Sequence, residues 1–144
     1  MIQRQRPAIR VAEFVEMEFL TKVLFIAGGG AAGAVARYLV NISPLAKLFT
    51  NFPFPTFFVN VAGSFLIGFL LIFLTDKVQV SDNLRMMVIV GFLGSFTTFS
   101  TFEMEIYGLF RDRLFTTAAV YLALSVAVGF IGLVLGIALA RQVR

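Results

Sequence analysis

Hydrophobic residues fall into four long stretches of this chain, separated by short polar segments. The stretches without a formal charge cover residues 23–36, 48–75, 86–102 and 114–140. A helix of roughly 20 apolar residues crosses the hydrocarbon core of a membrane, and the first stretch reaches that length only with both flanks included. The pattern therefore predicts an all-α membrane protein. Its four transmembrane helices are predicted over residues 19–41, 54–75, 85–110 and 114–141.

The first 18 residues depart from this pattern, because they carry six charged side chains among few apolar ones. No continuous apolar core follows the basic start, as a secretory signal peptide would require. Apolar side chains recur at helical spacing at Ile9, Ala12, Val15 and Phe19. We expect an N-terminal extension over residues 1–18, with an amphipathic helix on the membrane surface and a flexible tail as the two alternatives.

The third stretch carries polar groups at membrane depth. Residues 86–102 include two glycines, five hydroxyl side chains and four phenylalanines. Gly91 and Gly94, followed by Thr97 and Thr98, combine weak helix formers with β-branched residues. We therefore expect the third helix to be broken near mid-membrane, where irregular backbone is tolerated only if it is buried in protein or lines water. Such breaks present carbonyls to a cation, and amides or helix termini to an anion.

Hydrogen-bonding side chains recur every fourth residue in the second and fourth spans, at Thr56, Asn60 and Ser64 and at Thr117, Tyr121 and Ser125. For Ser64 we favour interhelical hydrogen bonding, worth about 0.6 kcal/mol in a membrane. The carboxamide of Asn60 has two N–H donors, so we expect a pore or another chain to supply their acceptors. Phe99 and Phe102 are three residues apart and should share one helix face.

Composition narrows the function classes. The chain is 59% hydrophobic and 14% charged, with a mean hydropathy of +0.92, which excludes an ordinary soluble domain. It contains no Cys and no His, which excludes thiolate and imidazole metal sites and His-based catalysis, so we expect no enzyme. The net charge of +4 lies in short loops and indicates membrane-flanking residues, not a nucleic-acid surface. At 144 residues the chain is too small to enclose a wide cavity alone, so we expect it to oligomerise.

The basic residues leave the orientation of the chain open. Four spans place both termini and the second loop on one side. Without the N-terminal extension, five Lys and Arg residues lie on that side and four on the other. The positive-inside rule cannot fix an orientation from so small a difference. The even distribution fits a chain that inserts both ways and forms an antiparallel dimer.

Taken together, these motifs resemble the Fluc (CrcB-type) family of fluoride channels. The resemblance covers roughly residues 20–140, and it is carried by Gly28-Gly29, Gly33-Ala34, Arg37-Tyr38, Val59-Asn60, Gly63-Ser64 and the segment from Gly94 to Phe102 followed by Glu105. It implies a dual-topology homodimer in the cell membrane. Two antiparallel pores would let fluoride leave the cell passively, which gives fluoride resistance.

The resemblance also implies roles for single residues. A structural sodium ion at the dimer centre would be held by the main-chain carbonyls of Gly94 and Thr97. The fluoride pore would be lined by Thr56, Asn60, Phe99, Ser100, Thr101, Phe102, Tyr121 and Ser125. Arg37 and Glu105 would stand in the vestibules. From the residues alone, Arg37 is equally an interfacial arginine that reaches toward the lipid headgroups.

Two other function classes compete with a channel. A small drug-exporting antiporter needs a membrane-embedded carboxylate, and the first two predicted spans contain none. A non-transporting assembly subunit would need only glycine seams and polar contacts between helices. It leaves the combination of Asn60, a broken helix and paired phenylalanines unexplained. Release of fluoride or of a cationic drug from liposomes separates these classes.

Overall fold

The computed structural model describes residues 6–49 and 51–143, and their side chains from residue 16 onward. Within these ranges the chain is helical and has no strand. Its helices are α1 (Arg6–Ile42), α2 (Phe54–Ile72), α3 (residues 82–96), α4 (Phe99–Arg111) and α5 (Phe115–Gln142). Four segments are long and apolar enough to cross a membrane, namely Glu16–Ile42, Phe54–Lys77, Asp82–Arg111 and Phe115–Gln142. The predictions of an all-α fold and of four membrane-capable helices are confirmed.

Helix α1 continues beyond its membrane-capable part into the segment predicted as an extension, and its described part begins at Arg6. Near the start of the membrane-capable part, Lys22 connects α1 to α3. Its Nζ lies 3.0 Å from Glu18 Oε1 and 3.4 Å from Asp82 Oδ2, and Arg85 Nη2 lies 2.6 Å from Asp82 Oδ1. All four side chains are partly exposed, so these ion pairs contribute little to stability.

Two helix pairs pack with their backbones in close approach. Helix α1 packs on the π-helical part of α3, Met87–Leu93, and a Cβ atom at Gly33 would collide with the main-chain carbonyl of Phe92. Helix α2 packs on α5, and a Cβ atom at Gly136 would collide with the main-chain carbonyl of Phe65. Small residues at such crossings let two backbones approach closely. Glycine is therefore required at these positions for the observed packing.

Two residues with extended backbone separate α3 from α4. Thr97 has φ −79° and ψ 157°, and Thr98 has φ −151° and ψ 121°. We call these two residues the α3–α4 junction. The Thr98 hydroxyl accepts a hydrogen bond from the Thr101 amide at 3.4 Å, which caps the N-terminus of α4. Threonine is a preferred residue at this capping position, so α4 starts anew at Phe99.

Candidate functional site

An open cleft of about 370 Å³ lies beside the α3–α4 junction. Residues of α2, α3, α4 and α5 line it together with the junction. Six residues predicted for the site from the sequence are among them, namely Asn60, Gly94, Thr97, Phe99, Phe102 and Ser125. The cleft is therefore a mostly apolar surface with a few polar groups, and three membrane-capable segments form it.

Asn60 of α2 binds both main-chain groups of Thr98. Its Nδ2 donates to the Thr98 carbonyl at 3.0 Å, and its Oδ1 accepts from the Thr98 amide at 2.8 Å. The expectation that a pore or another chain supplies the acceptors is therefore wrong for one of the two N–H donors. The physical reason is the extended backbone of Thr98, which leaves its amide and carbonyl without helical partners.

The hydrogen bond from the Thr98 amide to Asn60 takes a helical donor away from the Gly94 carbonyl. In a continuous helix the Thr98 amide would donate to that carbonyl, four residues earlier. Here this amide donates to Asn60 Oδ1. Gly94 and Thr97 both line the cleft, and a Cβ atom at Gly94 would meet nothing within 4 Å, so there is open space beside it. Main-chain carbonyl oxygens can replace the hydration shell of an alkali cation, so the carbonyl groups of Gly94 and Thr97 are chemically suited to a sodium site.

Glu105 of α4 accepts two short hydrogen bonds from hydroxyl groups on two other helices. Thr56 Oγ1 donates to Glu105 Oε1, and the Tyr121 hydroxyl donates to Glu105 Oε2, each at 2.7 Å. Thr56 is 1% exposed and Tyr121 0% exposed. Both distances lie within the usual range for a hydroxyl donor. The structure thus brings the predicted vestibule residue Glu105 together with two predicted pore residues.

Phe99 and Phe102 lie side by side at the start of α4, with ring centroids 6.0 Å apart and an interplanar angle of 41°. Their burial differs strongly: Phe102 is 6% exposed and Phe99 is 70% exposed. The Phe102 ring packs edge-to-face on Tyr121, with centroids 5.0 Å apart. Phe102 therefore packs in the core with Tyr121 and borders the cleft, while Phe99 projects outward at the cleft.

The hydroxyl residues predicted for the pore differ in their surroundings. The Ser125 hydroxyl is buried and has no hydrogen-bond partner among the described residues. The Thr101 hydroxyl accepts a hydrogen bond from the Thr98 hydroxyl at 2.9 Å. Ser100 is exposed and does not line the cleft. The structure thus brings Thr101 to the junction and Ser125 to the cleft, and it leaves Ser100 outside.

Arg37 of α1 contacts the end of α3. Its Nε donates to the Ser95 carbonyl at 3.1 Å, and the side chain is partly buried. The guanidinium group therefore satisfies a carbonyl of the last turn before the α3–α4 junction.

Sequence reasoning missed two residues of the site. Thr98 is held by Asn60 and caps α4, and the known preference for threonine at helix N-termini could have identified it. Phe52 packs edge-to-face on Tyr121, with ring centroids 5.2 Å apart. No spacing in the sequence connects Phe52 to Tyr121, so only the tertiary structure reveals this contact.

Comparison with known proteins finds one family model and several relatives that match this chain. The family model described as "CrcB-like protein, Camphor Resistance (CrcB)" matches residues 24–137. The chain is 44% identical over 108 residues to the fluoride-specific ion channel FluC of Hydrogenobaculum sp. (strain Y04AAS1), an alignment that covers 75% of this chain and 88% of that protein. It is 38% identical over 122 residues to the FluC protein of Rhizobium meliloti (strain 1021), covering 85% and 98%. For the FluC protein of Caulobacter vibrioides (strain NA1000 / CB15N) the identity is 40% over 125 residues, covering 86% and 98%.

The residues that the family model matches include all the cleft residues and at least part of each membrane-capable helix. The chain is thus a multi-pass membrane protein. Since the family model covers most of its length and the relatives are similar over nearly their whole lengths, the chain belongs to the CrcB-like protein family.

Proposed function

We propose that this protein is a fluoride-specific ion channel that lets fluoride leave the cell passively and so gives fluoride resistance. The observation that carries the proposal is the cleft at the α3–α4 junction, where hydrogen-bond donors and phenylalanine rings meet within membrane-capable segments. The identity of the ion is inferred from the relatives, which are named fluoride-specific ion channels. A drug antiporter or an assembly subunit would not need this combination of groups.

The cleft offers several weak ligands for a small anion. The carboxamide nitrogen of Asn60 carries two N–H donors, and Thr98 uses one of them. The buried Ser125 hydroxyl can donate as well. The edges of Phe99 and Phe102 carry partial positive charge and can replace part of the hydration shell without binding the anion tightly. A path of several weak sites lets an ion enter and leave, which is what conduction requires.

The functional unit in this proposal is an antiparallel dual-topology homodimer with two pores. One copy of the chain forms an open cleft, which a second copy would close in this proposal. The nearly even distribution of basic residues fits insertion in both orientations. In such a dimer the broken third span would lie near mid-membrane at the dimer centre.

A structural sodium ion is part of the proposal. The main-chain carbonyls of Gly94 and Thr97 would hold it at the dimer centre, where it would fix the two copies of the junction against each other. The fit of these residues supports this assignment, because the Thr98 amide is bound to Asn60 and open space adjoins Gly94. Arg37 and Glu105 are assigned to the vestibules through which the ion enters and leaves.

The proposal can be tested by fluoride efflux from liposomes. The purified protein is reconstituted into liposomes loaded with fluoride or chloride, and release is followed with ion-selective electrodes. We expect fluoride to leave far faster than chloride. Replacement of Phe99, Phe102 or Asn60 should reduce this flux while the dimer remains intact by size-exclusion chromatography with light scattering.

Phe110→Leu is a suitable control, because Phe110 lies on the same helix as the phenylalanine pair and is half exposed away from the cleft. It should conduct like the unmodified protein. Chloride release as fast as fluoride release, or proton-coupled exchange of a cationic drug, would overturn the proposal.

A further inference from the structure

The segment before α2 contains a tight turn centred on Pro53. Pro53 has φ −73° and ψ 65°, and the Phe54 amide donates to the Phe52 carbonyl at 2.7 Å. These are the features of an inverse γ-turn. The proline ring restricts φ to about −65°, which is close to the φ angle that this turn requires. The turn places Phe52 immediately outside the first turn of α2, in which the Phe57 amide donates to the Pro53 carbonyl at 3.1 Å.

The ring of Phe52 packs against three aromatic rings in edge-to-face geometry, of which the Phe49 ring is the farthest, with centroids 6.2 Å apart and an interplanar angle of 69°. Its centroid lies 5.2 Å from that of Tyr121, with an interplanar angle of 76°, and 5.5 Å from that of Phe57, with an angle of 71°. Phe102 packs on the same Tyr121 ring at 5.0 Å and 64°. Tyr121 is completely buried, so these two phenylalanines are major parts of the surroundings of its ring.

The Tyr121 ring ends in the hydroxyl group that donates to Glu105 Oε2 at 2.7 Å. A short hydrogen bond of this kind depends on the angle at which the ring stands, because the hydroxyl lies at the far end of the side chain. Functional groups in a site must be held to within about 0.5 Å of their working positions by their neighbours. Phe102 is itself assigned to the pore, whereas Phe52 approaches Tyr121 from a segment outside the membrane helices.

We propose that Phe52 is a positioning residue for the ion path. It holds the Tyr121 ring in the orientation that keeps the Tyr121 hydroxyl on the Glu105 carboxylate. The Pro53 turn fixes Phe52 in place, so the segment before α2 controls the geometry of the Thr56, Glu105 and Tyr121 cluster. This inference rests on the proposed fluoride channel function, since that cluster then lies on the path of the ion.

A simple packing role for Phe52 makes a different prediction. If Phe52 only fills space between the loop and α5, its truncation lowers stability and flux whether or not Tyr121 carries a hydroxyl group. If Phe52 acts through the hydroxyl, its truncation matters only while that hydroxyl is present. A double-mutant cycle with Tyr121→Phe separates the two, because this variant keeps the ring and removes the hydroxyl.

The experiment compares four full-length proteins in liposomes: the unmodified chain, Phe52→Leu, Tyr121→Phe and the double variant. The initial rate of fluoride efflux per protein is measured with a fluoride electrode. We expect Phe52→Leu to lower the rate about two- to tenfold, the factor that corresponds to the loss of its edge-to-face pair with Tyr121. In the Tyr121→Phe background the same change should alter the rate by less than about twofold, because the hydroxyl is already absent.

Phe110→Leu is the control, since Phe110 is half exposed and its ring pairs with that of Phe115, which is not a ring partner of Phe52 or Tyr121. It should conduct at the unmodified rate. Phe52→Tyr retains an aromatic ring and should also conduct at that rate. If Phe52→Leu does not fold, Phe52→Met, which is close to phenylalanine in volume, takes its place in the cycle.

The outcomes distinguish this inference from the function it rests on. If the unmodified protein releases no fluoride, both the channel function and the role of Phe52 are overturned. If it conducts, the role of Phe52 alone is overturned by an unchanged rate in the truncated variant. An equal loss of rate with and without the Tyr121 hydroxyl also overturns it, because that result indicates simple packing.

Discussion

Replacing Asn60 with leucine removes both hydrogen bonds that hold Thr98 in its extended conformation. The Asn60 carboxamide accepts from the Thr98 amide at 2.8 Å and donates to the Thr98 carbonyl at 3.0 Å. Leucine is close to asparagine in shape, so the neighbouring contacts of α2 should be retained. The variant therefore measures how much the α3–α4 junction depends on one side chain.

The expected loss can be bounded from these two contacts. A buried polar group left without a partner costs about 1–3 kcal/mol, so two main-chain groups would cost about 2–6 kcal/mol. Individual hydrogen bonds between membrane helices average about 0.6 kcal/mol, which gives about 1.2 kcal/mol for two. Thr98 is only partly buried and lines an open cleft, so water can satisfy part of this loss. We expect Asn60→Leu to lower the free energy of unfolding by about 1–3 kcal/mol.

The free energy of unfolding is measured by titration with a denaturing detergent in micelles, and fluoride efflux is measured on the same preparation. Asn41→Leu is the matched control, because Asn41 is exposed and its Nδ2 donates only within α1, to the Arg37 carbonyl at 3.1 Å. That variant should keep the unmodified stability and flux. Equal stability and equal flux for the two leucine variants would show that Asn60 does not hold the junction.

Two further predictions concern the contacts between α1 and α3. Gly33→Ala should lower the free energy of unfolding by about 1–3 kcal/mol in detergent micelles, because its Cβ atom would collide with the Phe92 carbonyl. Gly28→Ala is the control, since nothing lies within 4 Å of its Cβ position. Equal stability of the two variants would contradict the close packing. Lys22→Ala should lower the free energy of unfolding only slightly at low salt, because its ion pairs with Glu18 and Asp82 are exposed to solvent. Salt should reduce that cost further, and a larger or salt-independent loss would indicate a role beyond these ion pairs.

Much of the architecture was predictable from the sequence because the membrane imposes simple requirements on it. Long stretches of apolar residues must be helical, since lipid offers no partners for main-chain groups. The four membrane-capable helices follow from that requirement. Gly91, Gly94 and the threonine pair are weak helix formers, and Thr97 and Thr98 have extended backbone in the structure.

The partners of the polar side chains were not predictable in the same way. The spacing of Thr56 and Asn60 put both on one stripe of α2, but it did not show that they bind different groups. Thr56 donates to Glu105 on α4, and Asn60 binds the main chain of Thr98. Helical spacing describes one element at a time, and these contacts depend on how three elements cross.

The amino-acid sequence by itself determined the membrane location, the number of spans and the chemical types available at mid-depth, because these follow from local hydropathy and backbone propensity. Only the tertiary structure decided which groups meet. It buried Phe102 against Tyr121, left Phe99 exposed at the cleft and brought Phe52 to the same ring. Such contacts arise from close packing between residues far apart in the chain, and no periodicity along one helix encodes them.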